Sequence, residues 1–248
     1  MSLSWPLGFL AAASGLALGS FVVTAAIRAV RLEPVGVGRS HCDACGRTLS
    51  YAQTVPLVSY MGLRGVCSGC GARIDPTHLA GELAGGVVLV SAALGSDVWR
   101  MGVLALLGLV LVAAATIDAK IGRLPNALTG SVAALCAALA FQHGLSELAI
   151  GVVAALAAMF VLLLVRLSAQ MRGKDPGLGL GDVKLFSALA LWLGVATPWM
   201  VVVAAVLGLC AMPIFRGSDG RLAFGPMIAM AAWGVGMAGE WGGNLWPI

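Results

Sequence analysis

Apolar runs alternate with short polar connections along almost the whole chain, a pattern that predicts membrane helices in series. The runs cover residues 7–27, 79–94, 101–117, 126–141, 148–167, 183 to about 192, 200–215 and 226–241. About 20 apolar residues are needed to cross ~30 Å of hydrocarbon, and several runs are shorter, so helix ends are placed only to within a few residues. The sixth is interrupted near Gly194 and Pro198. Between the first two runs lies the only long polar segment, residues 31–78. The expectation is an all-α polytopic membrane protein of about eight transmembrane helices. Residues 1–30 would form the first helix, residues 31–78 a small cytoplasmic module, and residues 79–248 a membrane core of about seven helices. Residues 1–6 lack a basic start, so residues 7–30 read as a retained span rather than a cleaved signal.

Composition agrees with this reading. Of 248 residues, 60% are hydrophobic and 10% charged, whereas soluble domains carry about 25% charged residues. Small-residue spacings such as Gly15 with Gly19 and Gly81 with Gly85 suit close helix packing in lipid.

The distribution of charge adds an orientation. If residues 31–78 face the cytoplasm and the connections alternate, all of the 15 lysines and arginines except Arg100 fall on the inner side. That asymmetry is the positive-inside pattern. It supports eight spans with both ends outside, and it puts Asp118 and Asp182 on the same, cytoplasmic side.

Those two aspartates carry the candidate chemistry. Asp182 follows Gly177-Leu178-Gly179-Leu180-Gly181 at the start of the sixth run, and Asp118 ends the third. A carboxylate beside hydrocarbon is costly and is a functional candidate by default. The alternating glycines let the backbone leave helical geometry and approach another chain closely. Asp182 could instead be only an N-cap, and Asp118 only a solvated loop residue. If they form one site, two carboxylates sharing a proton can activate a water and protonate the product of its attack. The positive end of a helix favours an ionised Asp182, and Lys184 would add to this if it faced the site. On that view Asp182 begins as base and Asp118 holds the proton. Glu82, near the inner end of the second run, could orient the site or bind a basic peptide, or be a solvated helix-end carboxylate.

Four of the six cysteines stand in Cys42-Asp43-Ala44-Cys45-Gly46 and Cys67-Ser68-Gly69-Cys70-Gly71. Paired Cys-x-x-Cys-Gly knuckles suit one tetrahedral zinc ion. Four thiolates leave no open position, so the metal would be structural. Two disulfides are the alternative, disfavoured in a reducing compartment. Cys136 and Cys210 lie in apolar runs and read as packing residues.

These residues resemble the type IV prepilin peptidases, the Gly-x-Gly-Asp membrane aspartyl proteases of bacterial pilus and type II secretion systems. The resemblance covers nearly the whole chain. It rests on Gly15-Leu16-Ala17-Leu18-Gly19-Ser20-Phe21, on the cysteine pairs flanking Val55-Pro56-Leu57-Val58-Ser59-Tyr60, and on Ile117-Asp118 with Leu124-Pro125-Asn126. It rests further on Gly179-Leu180-Gly181-Asp182-Val183-Lys184-Leu185 and Phe224-Gly225-Pro226. Asn126 stands where many members have aspartate. The resemblance implies catalytic Asp118 and Asp182 and places the zinc-type cysteines Cys42, Cys45, Cys67 and Cys70 in the family's cytoplasmic domain. Beside the aspartates, Gly179 and Gly181 could leave room for an extended substrate backbone, with Lys184 and Glu82 in the supporting roles given above, and Gly225 and Pro226 either line the site or are an ordinary helix entry. It implies cleavage of a short basic leader from prepilins and pseudopilins, after a glycine at the cytoplasmic face of the bacterial inner membrane. It also implies N-methylation of the new terminus with S-adenosylmethionine, whose binding residues have no recognisable fingerprint here; the glycine run follows no strand and is no Rossmann turn. The expected partners are those substrates and membrane lipid, not nucleic acid. A proton- or ion-coupled transporter using the paired aspartates is the rival reading, although such sites sit near the midplane between inverted repeats. A methyltransferase alone, or a silent assembly factor, is the other.

Overall fold

A computed structural model describes residues 4–36, 38–95, 97–173, 177–212 and 223–242. Lys174, Arg216 and Arg221 of the charge pattern, and the end of the seventh apolar run, lie outside these residues. The chain divides after Leu94 into two compact units.

The first unit holds α1 (Trp5–Val30), a 3-10 turn (Tyr51–Thr54), the short α2 (Val58–Gly62) and α3 (Pro76–Ala93). Pro6 lies in the first turn of α1, where its missing N–H has no helical partner to lose. Asp75 caps α3 by accepting from the Thr77 N–H at 2.9 Å, and Pro76 opens that helix. The two helices are held together by absent side chains. A Cβ on Gly15 would lie 2.3 Å from the Gly85 carbonyl oxygen, one on Gly19 2.2 Å from that of Gly81, and one on Gly85 2.3 Å from that of Gly15. Both small-residue pairs read from the sequence therefore face each other, backbone against backbone. Gly85→Ala is expected to destabilise this unit by about 1–3 kcal/mol, the usual cost of overpacking, measured as a lower unfolding midpoint in detergent. Gly62→Ala, with nothing within 4 Å of the added methyl, should leave that midpoint nearly in place.

The second unit contains α4 (Val98–Ile121), α5 (Asn126–Phe141), α6 (Leu145–Met171), α7 (Leu180–Leu193), α8 (Thr197–Ala211) and α9 (Gly225–Gly242). Asp97 caps α4, accepting from Trp99 and Arg100 N–H, and Gly122 ends it with φ 60°. α7 runs through the middle of this unit, packed on α5, α6 and α9. Leu185, Phe186, Leu189 and Ala190 on it are almost wholly buried. α6 lies outermost. Gly151 is its only buried residue, where a Cβ would meet the Leu191 carbonyl oxygen at 2.2 Å.

Apart from the short α2, each helix matches one of the apolar runs. Among the described residues four segments are long and apolar enough to cross a membrane: α1, α4, α6 and the continuous Leu180–Ala211 segment; α5 is a shorter apolar helix. The expected interruption of the sixth run is a 3-10 turn, Gly194–Ala196, entered with Gly194 at φ 49°. α7 has 14 residues and α8 has 15, so each is about 21–22 Å long, short of a full crossing alone.

Candidate functional site

Asp118 lies in the last turn of α4, not in the polar connection where hydropathy places it, and it is 5% exposed. Burial removes the solvated-loop reading. Its Oδ2 accepts the backbone N–H of Gly225 at 2.8 Å. Gly225 begins α9, and first-turn N–H groups have no partner within their own helix. Phe224, just before it, is anchored against Phe186 of α7 with ring centroids 6.2 Å apart. Pro226 follows within that first turn, where a missing N–H costs nothing.

Asp182 stands in the first turn of α7 and is 9% exposed. It is the third helical residue rather than the N-cap, which is Gly179. Its Oδ2 accepts the Gly179 N–H at 3.0 Å, the acidic half of a capping box. Gly179 itself is exposed, so this helix start is open to its surroundings.

The end of α4 and the start of α7 bring the two carboxyl groups into one region. The segments carrying them also touch. A Cβ on Gly181 would lie 3.0 Å from Cβ of Leu124, in the connection that leaves α4. One oxygen of each carboxylate is fixed by a backbone N–H. Among the described residues, neither Oδ1 receives a hydrogen bond. Two buried carboxylates from opposite helix ends, each held through one oxygen by a backbone N–H, are a geometry suited to holding a water and taking a proton from it.

Lys184 does not turn to Asp182: its Nζ donates to Asn126 Oδ1 at 2.8 Å, linking the start of α7 to the start of α5. The expected ionic help to Asp182 from this lysine is therefore replaced by a tether between helices. One contributor escapes the sequence reading. Arg166, near the end of α6, donates through Nη1 to the Leu178 carbonyl and so braces the glycine run before Asp182. Only its charge marks it in the sequence.

The first unit gathers the other predicted residues. The Sγ atoms of Cys42, Cys45, Cys67 and Cys70 all lie within 4.8 Å of one another, and those of Cys42 and Cys70 are 3.9 Å apart. A tetrahedron with ~2.3 Å metal–sulfur bonds has edges of about 3.8 Å, so the cluster has the size of a four-thiolate metal shell. None of the four is in a disulfide. The knuckles are built alike. Gly46 N–H donates to Cys42 C=O and Gly71 N–H to Cys67 C=O, both at 2.9 Å, with the glycines at φ 69° and 71°. The N–H groups of Cys70 and Gly69 stabilise the Cys67 thiolate and draw its pKa down to about 6. Arg31 at the end of α1 holds Asp43 of the first knuckle at 2.7 Å, which keeps that carboxyl below the usual carboxylate range.

Glu82 of α3 is 8% exposed and belongs to this unit. Its Oε1 accepts from Ser20 Oγ at 2.9 Å and its Oε2 from Leu57 N–H at 2.8 Å. It is therefore a buried bracket rather than a solvated helix end. Leu57 has φ 59° and ψ −49°, and Val58 N–H reaches Pro56 C=O at 2.6 Å. That is a strained three-residue turn of a rare kind, held from outside by Glu82. A cavity of about 210 Å³ lies beside it, lined among others by Arg28, Asp43, Asp75, His78 and Glu82.

Comparison with known proteins follows the same division. Residues 13–95 match the bacterial peptidase A24 N-terminal domain, and residues 105–214 match the type IV leader peptidase family. A prepilin leader peptidase/N-methyltransferase of Neisseria gonorrhoeae is 32% identical over 78% of this chain and 69% of its own. The chain belongs to the type IV leader peptidase family. Another relative, a type 4 prepilin-like proteins leader peptide-processing enzyme of Escherichia coli, is 32% identical over 77% of this chain and 72% of its own. A prepilin leader peptidase/N-methyltransferase of Burkholderia pseudomallei is 36% identical over 78% of this chain, and the match spans 65% of that longer protein. No solved structure was found to match. Asp118 and Asp182 fall within the range matched to the leader peptidase family, and the four cysteines and Glu82 within the range matched to the N-terminal domain. The transporter reading finds no support in these relatives.

Proposed function

We propose that this chain is an aspartyl endopeptidase that removes the leader from type IV prepilins or pseudopilins, with Asp118 and Asp182 as the catalytic pair. The observation that carries the reading is the convergence of two buried carboxylates, one at the end of α4 and one at the start of α7, on segments that touch at Leu124 and Gly181. Two such groups cannot ionise cheaply together, so they share a proton. The ionised member takes a proton from water as the water attacks the scissile carbonyl, while the protonated member gives its proton to the carbonyl oxygen; the first member then passes its new proton to the leaving amine as the C–N bond breaks, and the gem-diol returns a proton to the second. The titration belongs to the pair. Gly225 and Gly179 N–H groups hold one oxygen of each carboxylate, which fixes both for the water between them. A prepilin helix in the membrane brings its basic leader to the inner interface, and the exposed Gly179 leaves room there for an extended backbone. The test is processing of a purified prepilin in liposomes by the wild type and by Asp118→Ala. Cleavage lost only in the variant supports the reading, and equal cleavage by both refutes it.

The cysteine cluster would hold one structural zinc through Cys42, Cys45, Cys67 and Cys70. A bound ion would join the two knuckles and offer no open coordination site. Purified protein is expected to carry about one zinc per chain, with Cys42→Ser and Cys67→Ser each falling well below that by elemental analysis. S-adenosylmethionine, when bound, supplies an electrophilic methyl group on sulfonium. The cavity beside Glu82 presents both signs of charge, as a sulfonium amino acid requires, and is where we would seek the methylation site. Membrane insertion with the knuckles and the aspartates toward the cytoplasm accords with the charge pattern.

A further inference from the structure

The ends of α4, α7 and α9 remote from the aspartates meet in a second polar cluster that the sequence does not signal. Arg100, in the first turn of α4, donates through Nε to Glu240 Oε2 at 2.6 Å, and through Nη2 to the other oxygen of the same carboxylate. Its Nη1 reaches the Leu139 carbonyl at 3.2 Å and Gln142 Oε1 at 3.3 Å, at the end of α5. Trp192, at the end of α7, donates Nε1–H to Glu240 Oε1 at 3.1 Å. The same indole wedges against α9, since a Cβ on Gly236 would lie 2.1 Å from it. Arg100 and Glu240 side chains are only 16% and 14% exposed.

Each helix in this cluster has its other end at the aspartate site. α4 ends in Asp118, α7 begins with the turn that holds Asp182, α9 begins with Gly225, and α5 begins with the Asn126 that receives Lys184. Arg100 lies 18 residues from Asp118, about 27 Å along the helix, too far for any direct effect on a reacting group. Its influence has to pass through the helices. The contacts at the aspartate end demand correct register: Gly225 N–H has to arrive at Asp118 Oδ2, and sliding α9 by one residue would move it about 1.5 Å. Apolar packing is non-directional and sets the axial position of a helix less sharply. A bidentate guanidinium–carboxylate pair is directional and resists it strongly.

We propose that Arg100 and Glu240 form a positioning clamp that sets the axial register of α4 and α9, with Trp192 bringing α7 into the same lock. This rests on the aspartate pair being the cleavage site. The three are positioning residues. Glu240 carries the clamp because, among the described residues, its carboxylate is the side-chain group that accepts from both Arg100 and Trp192. A lysine cannot replace the arginine, because it offers a point charge in place of a planar fork.

The experiment is steady-state cleavage of a purified prepilin in liposomes by full-length Arg100→Met, Arg100→Lys, Glu240→Gln and the Arg100→Met/Glu240→Gln combination, with Asp118→Asn alongside. The expected result is a fall in kcat of about ten-fold or more for each single change, with KM within about two-fold, because substrate docks at the other end of the helices. Arg100→Lys should not rescue. The combined variant should be no worse than the worse single one, since either change opens the same link. If Arg100→Met yields no monodisperse protein, Trp192→Phe, which removes the indole N–H and its wedge against Gly236, is read instead, with a smaller drop in kcat and the same unchanged KM. Unchanged kcat in the folded variants, strictly additive losses, or a rise in KM alone would overturn the clamp. Residual cleavage by Asp118→Asn would instead overturn the aspartate pair, so the two failures are distinct.

Discussion

Asp118→Asn and Asp182→Asn are each expected to lower kcat for prepilin cleavage by about 10³-fold or more, near the upper part of the range for losing a general acid or base. Asparagine keeps the size of the side chain and its carbonyl oxygen, so the bond from Gly225 N–H to position 118 and that from Gly179 N–H to position 182 can persist. The helix ends should therefore stay where they are, and the unfolding midpoint should hold or rise, because a buried ionisable group has been replaced by a neutral one of the same shape. What disappears is the shared proton. With one amide in the pair, the remaining carboxylate has no partner to protonate the carbonyl oxygen as it takes the proton of the attacking water. The loss should be nearly as large for either single variant as for the double one, because the two act as a unit. The measurement is a single-turnover cleavage time course with each variant at matched folded concentration. Retention of about a tenth of wild-type activity by either would exclude a two-aspartate mechanism.

The sequence carries the helices and the chemistry unevenly. Each apolar run is long enough to show, because lipid demands continuous hydrophobicity. The Gly15, Gly19, Gly81 and Gly85 contact is visible too, since close approach of two backbones requires small residues four apart and little else produces that spacing. The knuckles are legible because thiolates and a following glycine obey a fixed turn geometry. Other features depend on pairings that leave no local mark. Glu82 lies in an otherwise ordinary helix, and only folding brings Ser20 and Leu57 to its two oxygens. Proximity in the chain makes Lys184 a neighbour of Asp182, but two residues along a helix turn a side chain by about 200°, away from that carboxylate and toward α5. Hydropathy places Asp118 beyond its helix because the signal falls at a charged residue whether or not the helix continues. The Arg100–Glu240 pair spans 140 residues, and a lone arginine among apolar runs reads only as an outer-side charge.

Gly225→Ala is expected to reduce kcat by about 100-fold, which would make a glycine as consequential as many catalytic side chains. An added methyl at Gly225 would lie 2.8 Å from Oδ2, 2.9 Å from Cβ and 3.0 Å from Cγ of Asp118. All three contacts are closer than carbon normally tolerates, and the atoms concerned sit in the buried end of α4, where the side chain cannot swing away into solvent. Either Asp118 rotates or the start of α9 withdraws, and both outcomes break the N–H bond that fixes Oδ2 and shift the carboxylate from its partner. A displacement of about 1 Å in a reacting group can cost 10²-fold. Gly130→Ala is the matched control. It lies on the exposed side of α5 with nothing within 4 Å of the new methyl, and should leave kcat unchanged while stabilising the helix by about 0.5–1 kcal/mol. If Gly225→Ala lowers activity only in proportion to lost folded protein, the backbone bond to Asp118 supports the fold and not the reaction. A drop in kcat at full folded yield, with KM unchanged, would tie the opening of the last helix directly to the chemistry at the end of α4.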